Sequence, residues 1–482
     1  MTLRLPYAFA RSQGVLLDED GSCTHRVGVS LQALIEVQRL VGSSLTFVSV
    51  QPELFDRRLA QAYRDNASDA SDAADADGDL ASLADDAAQV DDLLDQSDDA
   101  PVVRLINALL LEAIKENASD IHIETQERRL IVRFRIDGVM REMVTPKRSL
   151  SPMLISRIKV MAKLDIAEKR LPQDGRVSLR VGGHEVDVRV STIPSQYAER
   201  VVLRLLDRDS TRLGLEHLGM SPQNDALFQR LITRPNGIML VTGPTGSGKT
   251  TSLYAAIDHL NDKSRNIMTV EDPIEYSMDG IGQMQVNPKS ELTFARGLRA
   301  ILRQDPDVIM VGEIRDRETA QVAVEAAMTG HLVLSTLHTN TAVGAISRLT
   351  DMGVERFLLA PMLVGVVAQR LVRSLCRDCA SNDVANQRDS DLMEGAIAVG
   401  DSLHRAVGCA VCHGQGYRGR TGIYEVVEVD REIEAMIHAG VAEAELVAAA
   451  RRRGPSLIAD GARIVLAGVT TVEEVARVAM EG

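Results

Sequence analysis

Alternating hydrophobic and polar positions indicate β-strands in the first half of the chain. Over residues 130–137 the apolar side chains point one way and the charged ones the other, as in a half-buried strand. Residues 177–181 and 186–190 repeat this pattern on either side of Gly182 and Gly183, which is a strong hairpin signal. An apolar helix is predicted at 102–114. The pattern indicates an α+β domain over residues 101–207, with arginines on the polar face of its sheet.

Strands and helices alternate over residues 208–375, which is typical of a parallel sheet covered by helices. The predicted strands at 237–242 and 307–311 contain the continuous apolar runs 238–241 and 308–311, and strands of this kind are buried on both faces. We therefore predict a multidomain α/β protein with an α/β core. Four clustered cysteines follow in a module at 376–425, and a helical region is predicted at 426–482.

The N-terminal part divides into a small domain and a linker. Amphipathic spacing around residues 31–37 and 54–59 predicts a helical domain over residues 1–62. Residues 63–100 are rich in Ala, Asp and Ser, a composition that buries too little apolar surface to fold alone. We predict that residues 63–100 form an acidic, flexible linker.

Net charge and hydropathy exclude several classes of protein. The 482 residues carry a net charge of −14, and residues 68–100 contain twelve Asp without any Lys, Arg or Glu. The rest of the chain is close to neutral, which argues against general nucleic-acid binding because that requires a concentrated positive face. The longest apolar run, 357–368, contains Pro361 and is shorter than the ~18 residues that cross a bilayer. We expect a cytoplasmic protein without an integral membrane segment.

A complete phosphate-binding pattern follows the apolar strand at 237–242. Its glycines let the backbone N–H groups surround phosphates, its lysine can reach the β- and γ-phosphates, and its hydroxyl can ligate Mg²⁺. The alternative is a glycine-rich turn without a ligand. The strand–loop–helix context favours a site for ATP and Mg²⁺ formed by Gly243, Pro244, Thr245, Gly246, Ser247, Gly248, Lys249, Thr250 and Thr251.

Carboxylates follow two other predicted strands of the same domain. Glu271 and Glu275 come at the end of one strand, and Glu313 follows the strand at 307–311. Acids at these positions can hold Mg²⁺ and the attacking water, and one of the first pair could act as a general base. Surface carboxylates that merely follow strands are the alternative. His331 and His338 would face opposite sides of one strand, so both cannot simply reach the phosphates; a structural role for either remains open.

The four clustered cysteines form two C-x-x-C pairs that are separated by 29 residues. Two such pairs can surround one ion as a closed tetrahedral site, which indicates a structural metal. Zinc is favoured over an iron–thiolate site, and disulfides are disfavoured in a reducing compartment. The predicted zinc ligands are Cys376, Cys379, Cys409 and Cys412, whereas Cys23 is expected to be an ordinary thiol.

These motifs together resemble the secretion ATPase superfamily. The resemblance is carried by the phosphate loop, residues 269–276, residues 311–316 and residues 329–339. With the N-terminal segment 5–11, the chain looks like a type II secretion system assembly ATPase (general secretory pathway protein E) over nearly its whole length. The resemblance implies a PAS-like second domain, a RecA-like ATPase core and a hexameric ring with nucleotide bound between the domains.

The resemblance also assigns roles to particular residues. It implies that 271–276 is the Asp box, that Glu313 is the Walker B glutamate and that the two histidines form the His box. Arginines of the second domain would complete the site, although a solvated strand face is the alternative reading for each of them. The predicted catalytic residues are Lys249, Glu271, Glu275, Glu313, His338, Arg189 and Arg204, and further family positions are Arg299, Arg303 and Arg315.

The function implied is that of a motor that hydrolyses ATP to assemble a pseudopilus for type II protein secretion. The same family suggests that residues 1–62 dock on the cytoplasmic domain of an inner-membrane platform protein. Motors for type IV pilus assembly or DNA uptake share the core and the cysteine module, and remain alternatives. A nucleotide-dependent scaffold without significant turnover is an alternative from a different class.

Overall fold

The computed structural model describes residues 14–17, 22–29, 34, 37–39, 45–51, 55, 58, 80, 100–181, 184–207 and 214–480. Within the N-terminal part it contains a three-stranded sheet of β1 (Val15–Leu17), β2 (Ser22–Arg26) and β3 (Thr46–Val50). The prediction of a helical domain over residues 1–62 is therefore wrong for the described residues, which include this sheet. Val37 and Phe55 are helical as expected, but they pack with buried Cys23 against the strands. The predicted linker lies outside the described residues, except for residues 80 and 100.

The second unit packs two helices against one antiparallel sheet. The helices are α1 (Ala100–Lys115) and α2 (Ser151–Met161). The strands are β4 (Ala118–Thr125), β5 (Leu130–Ile136), β6 (Val139–Val144), β7 (Gln173–Val181), β8 (His184–Ile193) and β9 (Arg200–Asp207), in the order β6-β5-β4-β9-β8-β7. Leu105, Leu109 and Ala113 recur at helical spacing along α1 and are fully buried. The predicted helix, strands and β7–β8 hairpin pairing are confirmed, whereas Gly182 and Gly183 lie outside the described residues.

The core is a seven-stranded sheet of order β12-β11-β13-β14-β10-β15-β18. Its parallel strands are β10 (Gly237–Thr242), β11 (Ile267–Glu271), β12 (Ile281–Gln285), β13 (Val308–Val311), β14 (Leu332–Leu337) and β15 (Leu363–Leu375). One face is covered by α3 (Pro222–Ile232) and α4 (Lys249–Leu260). The other is covered by helices that include α5 (Phe294–Ile301), α6 (Arg317–Met328), α7 (Gly344–Asp351) and α8 (Arg356–Met362). The predicted α/β core is confirmed.

The last strand of the sheet comes from beyond the cysteines. β18 (Tyr417–Glu428) pairs antiparallel with β15, from Gly365 opposite Glu428 to Leu375 opposite Tyr417. The predicted boundary at 425/426 falls inside this strand, so the core sheet continues to residue 428. β15 and β18 lie on either side of the cysteine module in the sequence, and no local pattern indicates that they pair. The predicted boundary at 425/426 was misplaced for this reason.

The remaining elements lie in the cysteine module and the C-terminal region. The module contains β16 (Ser381–Val384), α9 (Gln387–Leu392) and β17 (Ser402–Arg405). The C-terminal helices are α10 (Arg431–Ala439), α11 (Glu443–Arg451), α12 (Leu457–Leu466) and α13 (Val472–Met480). Ile433, Val465 and Val475 are buried in the same core as β14 and α6, so the helical tail is part of the core domain. Among the described residues, no helix combines the length and apolarity that crossing a bilayer requires.

Candidate active site

The phosphate loop joins the central strand β10 to helix α4, and its glycines have conformations that other residues rarely adopt. Gly243, Gly246 and Gly248 have φ angles of 152°, 81° and 87°. A Cβ atom at Gly243 would lie 2.5 Å from the carbonyl oxygen of Gln369, and one at Gly248 would lie 2.7 Å from its Nε2. The neighbouring strand β15 therefore presses against the loop, and only glycine fits at these two positions.

Lys249 begins helix α4 and folds back over the loop. Its Nζ donates to the carbonyl oxygens of Gly243 at 2.7 Å and Pro244 at 2.9 Å. Burial lowers the pKa of Lys249 to about 8, against the attraction of the Glu313 carboxylate. Neither carbonyl carries a formal charge, so a phosphate entering the loop would be a much stronger partner for this ammonium group.

Glu313 lies two residues beyond β13 and shares a cavity with Lys249. The cavity has a volume of 470 Å³, within the range of small-ligand sites. Arg315 donates to Glu313 Oε1 at 2.5 Å, and Nε2 of His338 lies 3.4 Å from Oε2. Burial alone would raise the pKa of Glu313, but the hydrogen bond and charge of Arg315, with His338, hold it below its ordinary value. The carboxylate is therefore ionised at neutral pH and available to a cation.

Glu271 and Glu275 form another wall of the same cavity, and their surroundings differ. The Glu271 side chain is buried and accepts hydrogen bonds from the hydroxyls of Tyr254 and Thr269 and, at 3.2 Å, from Gln283 Nε2. Burial raises the pKa of Glu271 in spite of these donors. Glu275 is 35% exposed. One carboxylate is thus held rigidly, whereas the other is open to the cavity.

Two arginines of the second domain lie close to the carboxylates of the core. Arg204 on β9 lines the cavity, and its Nε donates to Asp120 Oδ1 at 2.9 Å. Arg189 on β8 lies 3.8 Å from Glu275, and its Nε and one terminal nitrogen are buried without a hydrogen bond to any described residue. Burial lowers the pKa of Arg189, which is offset in part by the charge of Glu275. Both arginines predicted from the sequence therefore face the carboxylates of the core.

Three other predicted positions lie away from the cavity. Arg299 pairs with Glu318 at 2.6 Å on the surface, and Arg303 donates to the carbonyl oxygen of Arg299 at 2.8 Å. His331 precedes β14, where its Nδ1 lies 2.8 Å from the carbonyl oxygen of Ala326. In a single chain, these side chains are surface or structural groups. Of the two histidines, His338 is the one that lines the cavity.

The structure adds cavity residues that sequence reasoning missed, namely Ser119, Tyr254 and Arg420. Tyr254 lies on the helix after the phosphate loop, and its hydroxyl also accepts from the backbone N–H of Glu275 at 3.2 Å. A buried aromatic hydroxyl on that helix is the signal that could have identified it. Arg420 reaches the cavity only because β18 pairs with β15, for which the sequence carries no local signal.

The four clustered cysteines converge on one point. Their Sγ atoms all lie within 4.8 Å of one another, with separations of 3.9 Å for Cys376–Cys409 and 3.7 Å for both Cys379–Cys412 and Cys409–Cys412. A tetrahedral ion bound at ~2.3 Å requires sulfur separations of ~3.8 Å. Backbone N–H groups also point at two of the sulfurs: Gly408 at Cys379, and Cys409 and Gly416 at Cys412. The donor set fits a thiophilic metal ion.

A parallel α/β core with a phosphate loop after one strand and a buried carboxylate after another defines a P-loop ATPase. Two family models refine this class: "Type II/IV secretion system protein" matches residues 95–477, and a model for a domain of "GSPII protein E" matches residues 4–63. The chain belongs to the type II secretion system protein E family, and it is a secretion ATPase.

Relatives and solved structures agree with this assignment. The chain is 58% identical to type II secretion system protein E of Pseudomonas aeruginosa, over 99% of this chain and 96% of the relative. It is 54% identical to type II secretion system ATPase E of Vibrio cholerae, over 99% and 97%. The pilus retraction motor PilT with bound ADP is 27% identical, with a TM-score of 0.53 and coverage of 77% and 95%. The ATPase DotB of Yersinia pseudotuberculosis shares the fold, at 22% identity, a TM-score of 0.60 and coverage of 78% and 94%.

Proposed function

We propose that the chain works as a homo-hexameric ring that couples ATP hydrolysis to pseudopilus assembly, and thereby drives export of folded proteins across the outer membrane. The observation that carries the proposal is the shared cavity. It combines Lys249 and Glu313 of the core with Arg204 of the second, PAS-like domain. Positive groups contributed by two domains can surround the terminal phosphate. The distance between those groups can then depend on how the two domains are arranged within the ring.

Several groups in the cavity, together with the neighbouring Arg189, have roles in phosphoryl transfer. The backbone N–H groups of residues 245–250 and the Lys249 ammonium bind the phosphates. The Thr250 hydroxyl and Glu313 would hold Mg²⁺, which neutralises phosphate charge when it is bound. Glu271 and Glu275 line the wall from which water would attack, and one of these two carboxylates accepts the proton of the water. Arg189 and Arg204 stabilise the negative charge on the transferring phosphoryl group, and His338 orients Glu313.

Pilus assembly and DNA uptake are less well supported as functions. Relatives of 50–58% identity that align along their whole length carry type II secretion names, which favours secretion over either alternative. A scaffold that only binds nucleotide would have no use for a proton acceptor, and Glu271 and Glu275 are candidates for that role in the wall of the same cavity. Both observations favour the secretion motor.

We propose that residues 1–62 dock the ring on the cytoplasmic domain of an inner-membrane platform protein, so that the protein is cytoplasmic but peripherally attached to that membrane. The N-terminal part has its own core, built around Val15, Cys23 and Phe55, separate from the cores of the other domains. Residues 68–100, with twelve Asp and no Lys, Arg or Glu, separate this unit from the other domains along the chain.

Secretion by a strain that lacks its own secretion ATPase tests this function. The full chain should restore export of a folded substrate to the medium. A variant without residues 1–62 should remain folded and bind nucleotide, but it should leave the membrane fraction and fail to restore export. A full-length Lys249→Ala control should stay with the membrane and also fail. The docking role is refuted if the truncated chain sediments with platform-containing membranes and supports export.

We propose that the four cysteines hold a structural zinc ion, since they leave no open coordination position for catalysis. Metal analysis of the purified protein should find about one zinc per chain. Cys409→Ser combined with Cys412→Ser should lose the metal and destabilise the module more than the phosphate loop. Cys23→Ser is the matched control, because it removes the cysteine outside the cluster. Full zinc content in the double variant would show that Cys409 and Cys412 are not zinc ligands. Iron in the purified protein would show that the site is an iron–thiolate site and not a zinc site.

A further inference from the structure

One row of charged side chains crosses the sheet of the second domain. The strand register sets Arg135 opposite Asp120, Asp120 opposite Arg204, Arg204 opposite Arg189, and Arg189 opposite Arg176. Directly opposed residues in antiparallel strands share one face of the sheet, and like charges at such positions destabilise it. The row therefore holds four arginines and a single carboxylate, and that carboxylate is next to Arg204.

Asp120 is almost fully enclosed by hydrogen-bond donors and positive charge. Its side chain is 5% exposed, accepts from Arg204 Nε at 2.9 Å and from the Ser119 hydroxyl at 2.7 Å, and lies 3.7 Å from Arg135 Nε. Burial alone would raise the pKa of Asp120, but the hydrogen bonds from Arg204 and Ser119 hold it below its ordinary value. Asp120 is therefore a buried, ionised carboxylate that is hydrogen-bonded to Arg204, an arginine of the cavity wall.

The contact with Asp120 uses only one edge of the Arg204 guanidinium. Nε donates to Asp120, and among the residues that the structure describes neither terminal nitrogen of Arg204 makes a hydrogen bond. The Arg204 side chain is 55% exposed and lines the cavity beside the phosphate loop. A guanidinium that is held through Nε leaves both terminal nitrogens available as donors. These two nitrogens can bind two oxygens of a phosphoryl group at once.

We propose that Asp120 is a positioning residue for ATP hydrolysis, which holds Arg204 by its Nε so that the terminal nitrogens face the transferring phosphoryl group. This inference rests on the role given to Arg204 in the proposed function. Without Asp120, the long side chain of Arg204 would sample many rotamers, and neighbouring Arg189 would repel it. Ordering Arg204 before the reaction lowers the cost of the transition state more than it strengthens nucleotide binding.

Glu124 provides a matched control on the same strand and the same face. It lies four residues after Asp120 on β4 and binds Arg133 at 2.6 Å and Arg200 at 2.7 Å. Its side chain is 15% exposed, so it too is a largely buried carboxylate between two arginines. Neither Glu124 nor its two arginines line the nucleotide cavity. Removing it should affect the sheet without affecting the geometry of Arg204.

Steady-state ATP hydrolysis by the full-length chain separates the two roles. Asp120→Ala should lower kcat about tenfold and change KM for ATP by less than about twofold. Glu124→Ala should change kcat by less than about twofold. Asp120→Asn keeps an oxygen that can accept from Arg204 Nε, so it should recover part of the lost kcat, and it replaces Asp120→Ala if the alanine variant does not fold. A fall in kcat that is equal for Asp120→Ala and Glu124→Ala would overturn the inference.

A double-mutant cycle then tests the link with Arg204. In an Arg204→Ala background, Asp120→Ala should lower kcat by less than about a further twofold, because its target is already absent. An undiminished additional loss would show that Asp120 acts on the sheet alone and would overturn the inference. If Arg204→Ala by itself leaves kcat unchanged, the role proposed for Arg204 is wrong. That result is distinct from one in which Arg204 matters and Asp120 does not.

Discussion

Replacing Lys249 with alanine is expected to reduce ATP hydrolysis by at least about a hundredfold. The ammonium group is buried beside the loop, where burial lowers its pKa against the attraction of Glu313, and no other residue of 243–250 carries a charge that could replace it. The loss should appear as phosphate release at the detection limit, while the fold is retained because α4 is anchored by Leu253, Tyr254 and Ile257.

Lys289→Ala is the control for this experiment. Lys289 is exposed in the same domain, and its replacement removes one positive charge without touching the cavity. This variant should hydrolyse ATP at the rate of the unaltered protein. Ordinary turnover in Lys249→Ala would refute the site itself.

Glu313→Gln is expected to keep ATP binding and to lower turnover by about a hundredfold. The substitution preserves the shape of the side chain but removes its negative charge. In the unaltered protein, Arg315 and His338 keep the Glu313 carboxyl group ionised at neutral pH. Binding depends chiefly on the phosphate loop, which is untouched. Equilibrium binding of a fluorescent ATP analogue, together with phosphate release, would measure the two effects separately.

Glu318→Gln is the matched control for Glu313→Gln, since Glu318 is 59% exposed and pairs with Arg299 away from the cavity. Its turnover should be normal. If Glu313→Gln hydrolyses ATP as fast as Glu318→Gln, Glu313 has no part in the chemistry.

Sequence reasoning succeeded wherever the signal was contiguous. The phosphate loop is one uninterrupted segment, and its glycines are required by backbone angles that only a local pattern encodes. The expectation that both histidines cannot reach the phosphates agrees with the structure, where His338 lines the cavity and His331 does not. Strand alternation is not the reason, because His331 precedes β14 and His338 follows it. The C-x-x-C spacing likewise predicted a cluster whose sulfur separations fit one ion.

It failed where distant segments pair. In the described residues of the N-terminal domain, Thr46–Val50 pairs with Ser22–Arg26 in a three-stranded sheet, although residues 27–45 separate these two short segments. Arg420 and Ser119 reach the cavity from elements that are far from the phosphate loop in the sequence. The hydrophobic pattern of a strand does not show which distant strand it pairs with. The pattern therefore could not predict these cavity residues or the extension of the core sheet beyond the predicted boundary at 425/426.

Strand β15 has a mechanical consequence. It pairs along one edge with β10, which carries the phosphate loop, and along the other with β18, and Cys376 follows its last residue directly. The module joins β15 and β18 at the same end, so a pull on it loads both strands in one direction, and the backbone hydrogen bonds between β15 and β10 resist that pull in shear. A load on the module would therefore be carried by the same strand ladder that holds the phosphate loop in place.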